Sequence, residues 1–241
     1  MTLNKKKEAL EYFMEMAAKE LKPSLVKAIL FGSCAGGETK EDSDIDILMV
    51  YYGDDESFLD KISEFSFETS LKHGELIEAI PISLYEYKAR KGNSFFLDEV
   101  ERGEVIFAMD DREAIRLEAN DYLNLGEEFI GYGKGAFERS EYRNAIDDTY
   151  NGIELLIKTL ILLKGQGLAH SHGGIIQQFG KLYITTGEIE KELGKRINKA
   201  LILRGKARYD PRADVTDTDA KVVLDLGEAI LKICRIEVEK L

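Results

Sequence analysis

Four residues near the start of the chain have types and spacing suited to phosphoryl chemistry: Gly32, Ser33, Asp44 and Asp46, within FGSCAGGETKEDSDIDILMV, residues 31–50. In a strand, residues i and i+2 face the same side, about 6.6 Å apart at ~3.3 Å per residue. Asp44 and Asp46 then point one way, and Ile45, Ile47 and Met49 the other. Two adjacent carboxylates resist ionisation unless a cation lies between them. Mg²⁺ suits the position, since it takes one or two carboxylates and completes its shell with substrate phosphate; Mn²⁺ is the alternative. In two-metal phosphoryl transfer such carboxylates hold ions against the attacking and leaving oxygens. Gly32 lets the backbone approach a ligand. Ser33 can cap a short helix or bond a phosphate, and the free N–H groups of a helix start suit a polyphosphate. Taken singly, each part has a plainer reading: solvated strand-end charges for Asp-x-Asp, a helix cap for Gly-Ser. The order is more specific: an apolar strand, Gly-Ser, ten residues, then Asp, apolar, Asp, apolar.

The surrounding pattern supplies elements to hold these residues. Leu10, Phe13, Met14, Ala17 and Leu21 recur at helical spacing, predicting a helix over 3–20 that ends before Pro23. Strands are predicted over 26–31, 44–51, 76–84 and 105–107. Helices are predicted over 54–73, through Phe58, Ile62 and Phe65, and over 93–102. Pro81 marks the third strand as an edge or a bulge. From Asp111 the periodicity becomes helical throughout. Tyr142, Ala145, Ile146, Thr149, Tyr150, Ile153, Ile157 and Leu160 form one apolar stripe, and further helices are expected over 188–203 and 218–239. The expected fold class is α+β: a mixed sheet with helices in residues 1–110, then an all-α bundle in 111–241.

The constellation of Gly32, Ser33, Asp44 and Asp46, with Ser43 ahead of the pair, resembles the nucleotidyltransferase superfamily of DNA polymerase beta and kanamycin nucleotidyltransferase. Its minimal members are about the size of residues 1–110. The resemblance implies transfer of a nucleoside monophosphate from an NTP, with ATP the first expectation, to an acceptor hydroxyl, releasing pyrophosphate. It also implies a third carboxylate on a later strand of the sheet. The candidates are Glu75 and Glu78. Glu78 is the better placed, sharing a face with Leu76, Ile80 and Ile82 and so buried or facing a cleft; its plainer reading is an edge-strand charge that opposes aggregation.

The helical half resembles a HEPN domain, through SEYRNAIDDTYNGIELLIKTLILLKG, SHGGIIQQFGKLYITTGEIEKEL and LRGKARYDPRADVTDTDA. That resemblance implies homodimerisation. RNA-cleaving members carry an arginine followed four to six residues later by a histidine, a pair suited to phosphorane stabilisation and acid–base work. Here Arg204 matches the arginine, but the fifth residue on is Tyr209. The chain's histidines are His73, His170 and His172, so the usual nuclease mechanism is not expected. Tyrosine, with a pKa of about 10, is a poor substitute. In related two-gene systems the transferase modifies a tyrosine near this motif, which makes Tyr209 a candidate acceptor. The basic run from Lys191 to Arg212 reads as a solvated helix face, or as a surface for a phosphate-bearing ligand or for the acidic first half.

Composition narrows the remaining classes. Residues 1–110 carry 13 Lys/Arg against 23 Asp/Glu, and residues 111–241 carry 20 against 22. A first half at −10 is ill-suited to bulk nucleic-acid binding and well-suited to cations. Two cysteines make no disulfide framework. The most apolar run, 153–163, is broken by Glu154 and Lys158, so no membrane span is expected, and the setting is expected to be cytoplasmic. The acceptor stays open among a small molecule, an RNA end and a protein tyrosine. The alternative to a transferase is a nucleotide-binding regulatory protein, or a toxin–antitoxin-type interaction protein, with little catalysis.

Overall fold

The structure is a computed structural model that describes residues 2–35, 43–169 and 171–240. It separates into two compact units, Met1–Asp110 and Asp111–Leu241.

In the first unit, helix α1 (Thr2–Glu20) leads into strand β1 (Leu25–Phe31), the short helix α2 (Gly32–Ala35) and strand β2 (Ile45–Tyr51). Helix α3 (Asp55–His73) starts at Asp54, whose carboxylate accepts from the Glu56 N–H, and stops at Gly74 in the left-handed conformation, a common helix terminator. Strand β3 (Ile77–Ser83), helices α4 (Leu84–Arg90) and α5 (Phe95–Val100), and strand β4 (Glu104–Ala108) complete the unit. The sheet order is β3-β2-β1-β4. β1 runs antiparallel to β2 and β4, and β2 parallel to β3.

The i, i+2 alternation of β2 divides the packing. Ile45, Ile47 and Met49 join Leu30 and Ala28 beneath α1 and α3, against Phe13, Ala17, Phe58, Ile62 and Phe65. The opposite face carries Ile29, Leu48 and Val50, all fully buried, with α4 and α5 packed on the sheet. Of the edge or bulge expected for the Pro81 strand, the edge holds among the described residues, where β3 pairs with β2 alone. Helix α4 was not expected. β3 ends at Ser83 rather than Leu84 because the Ser83 hydroxyl accepts the Glu86 N–H at 3.2 Å. The Ser-x-x-Glu signal of a helix start was present in the sequence.

The second unit is helical: α6 (Asp111–Glu138), α7 (Tyr142–Leu163), α8 (His172–Phe179) running into a π-helical turn (Gly180–Ile184), α9 (Lys191–Tyr209) and α10 (Asp217–Glu239). The stripe from Ala145 to Leu160 lies on α7 and is almost wholly buried. α6 approaches it closely: a Cβ on Gly133 would lie 2.0 Å from the Thr149 hydroxyl. Thr216 and Asp219 form a reciprocal cap at the start of α10.

Helix α9 runs to Tyr209, beyond the expected end at 203. Leu203 and Ala207 continue its buried stripe, and Arg143 closes its end. The Arg143 guanidinium donates to the carbonyls of Ala207 at 2.7 Å, Asp210 at 3.0 Å and Ala213 at 2.6 Å. A cation there also opposes the negative end of the helix dipole. Arg143→Met is expected to lower stability by about 2–3 kcal/mol, measured by urea unfolding. Loss of amide-exchange protection confined to residues 206–213 would accompany it; unchanged protection would show that Arg143 does not hold this end.

Candidate functional site

The candidate residues of the first unit gather where β1 ends and β2 begins. Gly32 follows β1 directly with φ +70°, a conformation other residues adopt only at a cost. A Cβ there would lie 2.3 Å from Oδ2 of Asp46. The Gly-Ser turn therefore lies directly against the Asp46 carboxylate. Ser33 follows in α2, half-buried. Cys34 donates its thiol to the Asp44 carbonyl at 3.3 Å. This ties the two sides of the stretch together, although most of the spacer, residues 36–42, lies outside the described residues.

Asp46 is half-buried and Asp44 exposed. Asp44 sits just ahead of β2 rather than within it, so the strand expected from residue 44 begins at Ile45. Its neighbourhood is fixed from behind. Lys6 of α1, 5% exposed, donates to the Ser43 carbonyl at 2.5 Å and to Glu75 at 2.6 Å. Glu75 is thereby committed to Lys6.

Strand register settles which of the rival acids lies beside the pair. Asp46 is opposite Glu78 on β3 and opposite Phe31 on β1, forming one row across the sheet. The Asp46 and Glu78 carboxyl groups are close enough to share a hydrogen bond. Partial burial, then the charges of Glu78 and Asp44, hold the Asp46 carboxyl above the ordinary carboxylate range. Glu78 itself is exposed, so of the two expectations, buried or facing a cleft, the buried one does not hold. Among the described residues β3 is an edge strand of the sheet.

Such a cluster of acids fits a divalent cation by its charge and its oxygen donors. Among the described residues, no three His, Cys, Asp or Glu side chains form a metal cage by themselves. Asp44 and Asp46 would leave further ligand positions to phosphate and water, as Mg²⁺ prefers.

Lys6 is expected to matter for this geometry. The Lys6 and Glu75 side chains are 6% and 13% exposed, and removing one partner of such a pair typically costs 3–5 kcal/mol, roughly. Lys6→Met should destabilise by about that amount in chemical denaturation. Lys6→Met/Glu75→Gln should recover part of it, because no charge is then left buried alone. A double variant no better than the single would show that the ion pair is not the source.

In the second unit, Arg204 and Tyr209 both lie on α9. The Arg204 guanidinium bonds Asp147 at 3.1 Å and Asn151 at 3.3 Å and lies 5.2 Å from the centre of the Tyr150 ring. Its side chain is 12% exposed, so this part of the basic run is not a solvated face. Asp147 also takes Arg208 at 3.3 Å. Asp147 and Asn151 escaped the sequence reading, which placed Tyr150 in the apolar stripe alone, although the i, i+3, i+4 spacing of the three on α7 was a usable signal. Tyr209 is 72% exposed. His172 opens α8, and His170 lies outside the described residues. No helix among the described residues is long and apolar enough to cross a membrane.

Comparison with known proteins places both halves of the chain in known domain families. Residues 14–112 match the family model of the nucleotidyltransferase domain, and residues 119–237 that of the HEPN domain. A candidate protein adenylyltransferase of Methanocaldococcus jannaschii is 33% identical over 100 residues, covering 42% of this chain and 96% of that protein. A candidate toxin of the same organism is 35% identical over 95 residues, covering 39% of this chain and 70% of that protein. The solved structure of a nucleotidyltransferase-like protein from Exiguobacterium sibiricum 255-15 aligns at 12% identity with a TM-score of 0.40, covering 95% of this chain and 77% of that one. Gly32, Ser33, Asp44, Asp46 and Glu78 all fall inside the first matched region, and the chain belongs to the nucleotidyltransferase family, with a HEPN domain following the transferase domain.

Proposed function

We propose that the first unit transfers a nucleoside monophosphate from an NTP, ATP in the first instance, to an acceptor hydroxyl. The observation that carries this is the contact row: Gly32 against Asp46, and Asp46 in register with Glu78. The Gly32–Ser33 turn would receive the polyphosphate. Asp44 and Asp46 would hold Mg²⁺ or Mn²⁺, which when bound neutralises phosphate charge and makes the phosphorus more electrophilic. Glu78, in register with Asp46 on the neighbouring strand, would face the acceptor hydroxyl. Glu78 then accepts the proton of the acceptor hydroxyl. The acceptor oxygen forms its bond to the α-phosphorus, the bond from that phosphorus to the bridging oxygen breaks, and pyrophosphate departs with the electron pair.

The helical domain would position the acceptor or support a homodimer. The exposed hydroxyl of Tyr209 is a candidate acceptor beside a small molecule or an RNA end. Incubation with each α-labelled NTP and Mg²⁺ or Mn²⁺ tests the proposal. Pyrophosphate should be released, and Asp44→Asn should abolish the release. Label on the protein that maps to Tyr209 would identify the acceptor; turnover surviving Asp44→Asn would overturn the site.

The second reading is a regulatory or toxin–antitoxin-type interaction protein that binds nucleotide with little turnover. The engagement of Arg204 with Asp147 favours an interaction role for the helical domain over RNA cleavage, since a guanidinium held by a carboxylate is less available to phosphate. Tight NTP binding without pyrophosphate release would support this reading. Metal-independent RNA cleavage lost in Arg204→Ala would restore the nuclease.

A further inference from the structure

One face of the Asp46 row ends in aromatic rings. Phe31, the β1 partner of Asp46, is half-buried. The ring of Phe96 on α5 meets it edge to face, with centroids 5.8 Å apart at 87°. Phe96 is 43% exposed and its neighbour Phe95 82% exposed. Phenylalanine is among the residue types most often buried, and here the pair of Phe31 and Phe96 reaches the acidic row through Phe31, the register partner of Asp46. Directly opposed strand residues share a face of the sheet. Glu78, Asp46 and Phe31 therefore form a line across three strands, each step about 4.8 Å.

The order of that line assigns its two ends. If Glu78 takes the acceptor's proton, the acceptor occupies the β3 side of Asp46. The β1 side is left for the part of the nucleotide that does not react. An edge-to-face pair offers the face of one ring, backed by the edge of the other, and such a face suits a nucleobase there. Such stacking is tolerant of base identity because every base has a π-face. It carries no hydrogen-bond code, so it discriminates by ring area, purine over pyrimidine.

We propose that Phe31 and Phe96 form the nucleobase platform of this site, giving it a preference for purine NTPs by stacking rather than by reading the base edge. The proposal rests on the transferase reading above, and its test separates the two. Mn²⁺-dependent binding of the α,β-methylene analogues of ATP and UTP, and of inorganic tripolyphosphate, would be measured on the full chain and on Phe96→Leu and Phe31→Leu. Leucine keeps apolar bulk and removes the ring, and thermal unfolding checks that each variant is folded. Both variants should bind the ATP analogue roughly five- to a hundredfold more weakly. They should bind tripolyphosphate as the wild type does, and the preference for the ATP analogue over the UTP analogue should narrow. Unchanged nucleotide binding in both variants would overturn the platform while leaving the cradle intact. Equal loss of nucleotide and tripolyphosphate would also overturn it, since the rings would then be supporting the cradle itself. A wild type that binds tripolyphosphate no better than Asp44→Asn would overturn the cradle, and the platform with it.

Discussion

Asp46→Asn is expected to abolish nucleotidyl transfer without lowering the stability of the fold. The loss of turnover should be on the order of a thousandfold or more, because in the proposed site the substitution removes one of the two carboxylates assigned to the metal, and the proposed chemistry depends on charge stabilisation. Stability should respond in the opposite sense. Burial and the charges of Glu78 and Asp44 raise the Asp46 pKa in the folded protein, so the fold favours the protonated form. The resulting penalty is absent at low pH, where Asp46 is protonated in folded and unfolded chains alike. It develops as pH rises from the ordinary aspartate value of about 3.9 through the raised value in the folded protein, and is complete above that. Asn carries no such charge. The melting temperature of Asp46→Asn in chelator should therefore equal or exceed that of the wild type at neutral pH, and the difference should vanish as pH falls towards 3.9. Adding Mn²⁺ should raise the wild-type melting temperature, by an amount equivalent to about 2.7 kcal/mol at a hundredfold excess over Kd, and leave Asp46→Asn nearly unmoved. Protons compete with the cation, so the Mn²⁺ effect on wild type should weaken as pH falls through the same window. A variant that loses stability at neutral pH, or a Mn²⁺ response that survives the substitution, would remove Asp46 from the metal site.

Gly32→Ala should be nearly as damaging to activity through a different cause. The new Cβ would fall 2.3 Å from the Asp46 carboxylate oxygen, which must then move, and the backbone at φ +70° strains any L side chain by about 1–2 kcal/mol. Displacing a reacting group by about an ångström can cost a hundredfold in rate. The expected result is a loss of kcat/KM of that order or more, with a fall in melting temperature of about 2–8 °C. Gly53→Ala separates strain from displacement. Gly53 also has positive φ, at +103°, but its Cβ would meet nothing closer than the Ser24 hydroxyl at 4.0 Å. It should lower the melting temperature and spare activity. If both substitutions reduced activity alike, general destabilisation rather than contact with Asp46 would explain the loss.

The local parts of this molecule were legible in its residues. The β1–turn–β2 segment announces itself through apolar alternation, a Gly-Ser pair and an i, i+2 carboxylate pair, although Asp44 lies just ahead of β2. The helices α1, α3, α7 and α10 follow from stripes within a single segment. Helix α4 and the last turn and a half of α9 were missed for different reasons. The start of α4 had a local signal in Ser83 and Glu86. The far end of α9 is held by Arg143, more than sixty residues away in sequence, which no window on α9 contains.

The amino-acid sequence by itself determined the division into a mixed-sheet half and a helical half, the presence of a Gly-Ser turn ahead of two aspartates, and the absence of a histidine after Arg204. The sequence favoured Glu78 over Glu75 as the partner of the aspartates, and tertiary structure fixed which of the two stands beside Asp46. A parallel register set Glu78 opposite Asp46, and a lysine sixty-nine residues distant took Glu75. It likewise decided that Arg204 is held by Asp147 and that Phe31 meets Phe96 at the edge of the acidic row. Side-chain periodicity is local and survives in a linear string. Strand register and the pairing of buried charges are set by long-range packing, which a linear string does not contain.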